Sequence, residues 1–130
     1  MKIYKILLAL ALLSLLVITT QRAIAEPVEI EVRSSNIKVY AFEKVLNRWD
    51  EKEWAYFSDL IERESHWNSE AKNPKSSAYG LCQTMMSVHR TPEGFRKDPY
   101  AQVDWCIDYV SKRYETPKQA IKFWDSHKWF

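Results

Sequence analysis

Apolar residues follow three different rhythms along the chain, and each change of rhythm marks a boundary. The first is a continuous run, "ILLALALLSLLVI" (residues 6–18), preceded by the basic "MKIYK" and followed by the small-residue triplet Ala23-Ile24-Ala25. That order predicts a secretory signal peptide over residues 1–25, cleaved after Ala25. The run is shorter than the ~20 residues that a membrane-spanning helix needs, although an uncleaved anchor stays open as the alternative. No cysteine follows the small residues, so a lipid anchor has no attachment point. The second rhythm is a short alternation in "EPVEIEVRSSNIKVY" (residues 26–40), which predicts an extended arm or a loose linker over residues 26–49.

The third rhythm is helical. It sets in from Phe42 and becomes strong at residue 50, where the main domain, residues 50–130, is expected to begin. Asp50-Glu51-Lys52-Glu53 is a D-x-x-E capping box that opens a helix of about fourteen residues. Trp54, Phe57, Ile61 and Glu64 then recur at steps of three or four, on one stripe. From Asn68 to Thr91 periodicity fails, and Pro74, Gly80 and several serines predict an irregular, turn-rich lobe. Asp98-Pro99 reads as an N-cap with proline at the first helical position, starting a helix to about Arg113. Its stripe of Val103, Ile107, Val110 and Tyr114 is a candidate core face, and Trp105 and Tyr109 share a neighbouring face. Thr116-Pro117-Lys118-Gln119 caps a last short helix carrying Ile121 and Trp124. The expected fold class is therefore mainly α, with one irregular lobe.

Composition narrows the function. Removing residues 1–25 takes away Lys2, Lys5 and Arg22 and no acid, so the formal charge of +2 becomes −1. No basic signature is left to attract nucleic acid. About 105 residues remain, enough for one domain with one core. All six tryptophans (Trp49, Trp54, Trp67, Trp105, Trp124 and Trp129) lie in that part, more than so small a core requires. Aromatic faces suit sugar rings as well as packing. Cys82 and Cys106 are the only cysteines, and an even pair in an exported chain reads as one disulfide, with two buried thiols as the alternative. His66, His89 and His127 fall at no metal-ligand spacing, so neither a metal nor another cofactor is expected.

Glu64 is the residue with chemical potential. It ends the apolar stripe of its helix, where burial disfavours the charged form and raises the pKa of a carboxyl. An acid that stays protonated near neutral pH can donate its proton to a leaving oxygen. Cleavage of a glycosidic bond needs such a donor, because an alkoxide is a poor leaving group. The pattern alone leaves a second reading open, a structural ion pair between Glu64 and a Lys or Arg of another helix.

The segments after Glu64 weigh on that choice. "ESHWNSEAKNPKSSAYGLCQTM" (residues 64–85) resembles the signature of the soluble lytic transglycosylase-like domains of the lysozyme superfamily, with Glu64-Ser65, Trp67, Ala71, Ala78, Gly80, Leu81 and Gln83 on the pattern. "DPYAQVDWCIDYVSKRY" (residues 98–114) is similar to that family's D-P-x-x-Q-x-x-W helix, and "AIKFWDSHKWF" (residues 120–130) to the tryptophan-rich finish of its shorter members. The resemblance covers residues 54–130 and rests on three motifs in the right order. It implies a lysozyme-like fold with the irregular lobe, or short β pieces, beside the active-site helix.

What the resemblance implies can be carried over residue by residue. Glu64 becomes the sole catalytic acid/base, cleaving the β-1,4 bond between N-acetylmuramic acid and N-acetylglucosamine in peptidoglycan strands. In transglycosylases the same group takes the proton of the muramoyl C6 hydroxyl and closes a 1,6-anhydro ring; in hydrolytic relatives a second carboxylate orients a water. Asp98 and Asp104 are second-carboxylate candidates by number only, and Asp98 is better explained as a helix cap. Ser65, Gln83 and Tyr109 become substrate-binding positions, beside the plainer readings of helix-terminal serine, surface glutamine and core tyrosine. Tyr79 and Trp124 become stacking platforms for sugar rings, and Trp67 and Trp105 wall or core. Cys82 and Cys106 replace common residues in two segments that border the groove in this family, which predicts a disulfide between the lobe and the Asp98–Arg113 helix. Ser77 stands where many relatives have glycine, so that turn is expected to differ in shape. The expected protein is an exported monomer in the periplasm, cell envelope or outside, acting on glycan strands without a cofactor. A hydrolytic muramidase and a non-catalytic peptidoglycan-binding protein are the competing readings.

Overall fold

The computed structural model describes residues 27–29, 31 and 33–130, so the expected signal peptide and its cleavage point lie outside the described residues. The chain divides into two compact units, Met1–Arg33 and Ser34–Phe130. In the first, the described residues are helical and Arg33 pairs with Glu29 at 3.4 Å. Everything below concerns the second unit.

Residues 34–48 form α1. α2 spans Glu51–Ser65, β1 Ala78–Tyr79, β2 Thr84–Met85, α3 Pro99–Tyr114 and α4 Pro117–His127. The two strands pair antiparallel, Ala78 opposite Met85 and Tyr79 opposite Thr84. The class is mainly α, as expected. The difference is α1: the segment expected as an extended arm or linker is a helix that takes part in the core. Ile37, Ala41 and Val45 recur at steps of four and are at most 1% exposed. This stripe is narrow and follows an alternating segment, and tertiary burial rather than local pattern fixes its conformation.

Helix boundaries follow from the caps. The Asp50 carboxylate accepts the Glu53 N–H at 3.0 Å, but the Glu53 side chain does not close the capping box. It reaches instead to the start of α4 and accepts the Lys118 N–H at 2.8 Å. A carboxylate there satisfies an orphan donor of the first turn and complements the helix dipole. Asp98 caps α3 by accepting from Tyr100 and Ala101, and Thr116 caps α4 by accepting from Gln119.

Two buried clusters hold the helices together. Ile37, Ala41 and Val45 of α1 meet Phe57 and Ile61 of α2, Leu81 of the lobe, and Val103 and Ile107 of α3. Leu60, Val110, Ala120 and Ile121 close the junction of α2, α3 and α4. Each fully buried Val, Leu, Ile or Phe among them contributes about 1.5–3 kcal/mol.

The lobe between α2 and α3 has little regular structure, and beyond the apolar anchor Leu81 it is held by polar tethers and a covalent one. Gln102 of α3, 1% exposed, accepts the Leu81 N–H through Oε1 at 2.9 Å. Its Nε2 donates to the carbonyls of Ser69 and Phe95, each at 3.1 Å. The backbone at residue 80 passes so close to this amide that a Cβ there would lie 2.3 Å from Oε1, and its φ is +76°. Only glycine fits both demands. One turn along α3, Cys106 is joined to Cys82 by a disulfide, Cα to Cα 6.1 Å, which ties the lobe to the helix where the sequence placed it. Ser77 accepts the Ser87 N–H at 3.0 Å and bonds its hydroxyl at 2.7 Å, fastening the segment after β2.

Candidate active site

α2 delivers Glu64 to the point where the helix stops. His66 and Trp67 both adopt positive φ, 51° and 59°, and turn the chain sharply into the lobe. Trp67 is buried, with its indole N–H lacking a hydrogen-bond partner, so it belongs to the core. Glu64 is half-buried and lines a cavity of about 470 Å³ with Asn73, Ser76, Ala78, Cys82, Gln83, Met85, Lys128, Trp129 and Phe130. The cavity thus lies between the end of α2, the hairpin lobe and the residues after α4.

Burial and one hydrogen bond act on the acid in opposite directions. The Trp124 indole N–H donates to Glu64 Oε1 at 2.6 Å, across sixty residues of sequence. Burial pushes the Glu64 carboxyl above its ordinary value, and this hydrogen bond, which favours the charged form, pulls the other way. Among the described residues no Lys or Arg pairs with Glu64. The neighbouring Arg63 is engaged elsewhere, with Asp59 at 2.7 Å and Asp125 at 2.6 Å. Its guanidinium lies 4.8 Å from the Trp124 ring centroid, so the Arg63–Asp125 pair that joins α4 to α2 also brings a cation over the indole.

The other expected positions divide. Gln83 lines the same cavity; its backbone φ is +48° and its Nε2 donates to the carbonyls of Gly80 at 3.0 Å and Ala71 at 3.3 Å. Trp124 is at the acid, as hydrogen-bond donor. Ser65 is buried, donates to the Ile61 carbonyl at 3.3 Å and does not line the cavity. Tyr79 lies in a different depression with Lys72 and Arg96, and its hydroxyl donates to the Arg96 carbonyl at 3.1 Å. Tyr109 stacks on Trp105, centroids 5.0 Å apart, beside a second cavity lined by His89 and Arg90. It touches the Glu64 cavity only through Phe130, whose ring packs edge-on against it at 5.9 Å.

No second carboxylate lines the Glu64 cavity among the described residues. Asp98 is the cap of α3, and Asp104 accepts the Tyr40 hydroxyl at 3.0 Å and pairs with Lys44 at 3.4 Å. No group of three or more His, Cys, Asp or Glu side chains able to hold a metal occurs among the described residues, and no helix there is long and apolar enough to cross a membrane. Sequence reasoning missed Asn73, Ser76, Lys128 and Phe130 as lining residues, since a cavity wall built from loops carries no periodic signal.

The family model for the transglycosylase SLT domain matches residues 42–126. The chain belongs to that family. The match begins within α1, at residue 42, where the helical pattern of the sequence also sets in. Comparison with curated proteins and with solved structures gave no significant match. Membership places the SLT domain described here among the lytic transglycosylase and lysozyme-like proteins, for which peptidoglycan is the implied substrate.

Proposed function

We propose that this protein is an exported peptidoglycan lytic transglycosylase with Glu64 as its sole acid/base. The observation that carries the reading is Glu64 itself: the only carboxylate lining its cavity among the described residues, half-buried, and held by an indole N–H rather than by a cation. The protonated carboxyl donates to the oxygen linking muramoyl C1 to the next N-acetylglucosamine, and the C1–O bond breaks with that oxygen leaving as a hydroxyl. Charge develops at C1, and Glu64 is now a carboxylate, which the Trp124 N–H stabilises. Glu64 then takes the proton of the muramoyl C6 hydroxyl as its oxygen attacks C1. The ring closes as a 1,6-anhydro sugar and the acid is restored.

Hydrolysis through a carboxylate-oriented water would need a second acid across the cleft, and among the described residues no second acidic side chain lines this one. Export is inferred from the signal-like order of residues 1–25, and the Cys82–Cys106 disulfide fits an oxidising compartment. The test is digestion of purified sacculi with mass analysis of the products. The expected products are one water lighter than hydrolysed muropeptides, and Glu64→Gln lowers their rate of release at least about a hundredfold. Products of hydrolytic mass would make the enzyme a muramidase. Binding to sacculi without any release would make it a non-catalytic wall-binding protein.

A further inference from the structure

Lys128 is the one cation among the described residues that line the Glu64 cavity. It makes no ion pair among the described residues, and the acid that shares its cavity, Glu64, is bonded to the Trp124 indole instead. Its backbone is held as the cap of α4, with a φ of +64° and its N–H bonded to the Trp124 carbonyl at 2.6 Å, and its ammonium lies 5.1 Å from the Trp124 ring centroid. The next residue, Trp129, lines the same cavity, is 51% exposed and is braced edge-on against Phe123 at 4.9 Å. The opposite wall offers the neutral Asn73 and Ser76.

We infer that Lys128 is a specificity-determining residue that binds a carboxylate on the muramoyl side of the glycan, selecting peptidoglycan over neutral chitin-like strands. This rests on the reading of Glu64 above and deepens it. A substrate carboxylate entering the cavity would repel the Glu64 anion formed when the proton is given up, and an ammonium on the cavity wall offsets that repulsion. Two sources carry the same chemistry: the lactyl carboxylate of a peptide-free muramoyl residue, and the carboxylates of an attached stem peptide. Helix capping and contact with the Trp124 ring would also favour a cation here, but neither depends on the charge of the glycan.

The test uses the Glu64→Gln chain, which binds without consuming its ligand, with and without Lys128→Gln. Three probes are titrated: glycan strands bearing stem peptides, the same strands stripped of peptide, and N-acetylchitohexaose. Because Lys128 is exposed, the charge-assisted bond is placed at the weak end of its range, and selectivity for a carboxylate-bearing strand over chitohexaose falls about tenfold. Lys128→Arg retains most of the selectivity, and high salt removes it from the unsubstituted chain. Loss on the stripped strand assigns the lactyl group, and loss on the peptide-bearing strand alone assigns the stem. An unchanged ratio, or an equal loss on all three probes, overturns the inference. Failure of the Glu64 reading shows separately, as an unsubstituted chain that leaves sacculi intact.

Discussion

Glu64 reaches the cavity on a helix whose inner face is buried among three others, whereas Gln83 reaches it on a lobe with only two residues in each strand. The helix is held by many interchangeable apolar contacts. The lobe puts Leu81 into the same core and adds a few specific ties: the Gln102 amide, the glycine that makes room for it, and one disulfide. Precision at the acid therefore comes from packing, and precision at the opposite wall from directional bonds. Damage to the first should unfold the domain, while damage to the second should loosen one wall of the cavity and leave the helices in place.

The largest effect is expected on the helical side. Phe57→Ala opens a cavity at a fully buried position and should cost about 3–5 kcal/mol, read as a lowered urea midpoint with loss of far-ultraviolet ellipticity. Replacing both Cys82 and Cys106 by alanine removes a cross-link between residues 24 apart, expected to cost about 3 kcal/mol. Gln102→Leu leaves the Leu81 N–H and two carbonyls without partners, for about 2–3 kcal/mol. For these lobe variants the comparison demands a local signature: faster amide hydrogen exchange across residues 69–83 than across α2. Uniform acceleration through both regions would erase the distinction.

A smaller effect separates the two contributions at the acid. Trp124→Phe removes the hydrogen bond that favours the charged form of Glu64, while burial still favours the neutral form. The carboxyl pKa should rise further, moving the alkaline limb of the pH–rate profile upward as kcat falls. The stability linkage has the matching sign. The folded-state pKa of Glu64 lies above its unfolded value, so the native state binds more protons. Its contribution is fully present below the unfolded value and is lost as pH rises through the folded one. Glu64→Gln should flatten that dependence in thermal melts across the same window.

The same division explains what the sequence disclosed. α2, α3 and α4 were legible because Asp50, Asp98 and Thr116 announce their starts and apolar residues recur at helical spacing. α1 was legible only from Phe42, since its first half lies in an alternating segment whose local signal points to extended chain, with Ile37, Ala41 and Val45 making a narrow stripe. At the site, the motifs after Glu64 pointed to one acid and one neighbouring glutamine, and both line the cavity. The bond from Trp124 to Glu64 was not legible: an aromatic in a short helix signals packing or stacking, and nothing local says which atom its N–H will meet. Tyr79 and Ser65 illustrate the converse, since their hydroxyls are taken by the carbonyls of Arg96 and Ile61. Pattern identifies residue types able to do chemistry, and the fold decides which of them are left free to do it.

The central claim is that one carboxyl, Glu64, both gives and takes the proton at the scissile bond. It is tested most directly by mass analysis of sacculus digests from the unsubstituted chain and from Glu64→Gln. The account predicts 1,6-anhydro-muropeptides from the first and essentially none from the second, with the fold of the variant intact by circular dichroism. Undiminished release of anhydro products by the folded Glu64→Gln chain would contradict it.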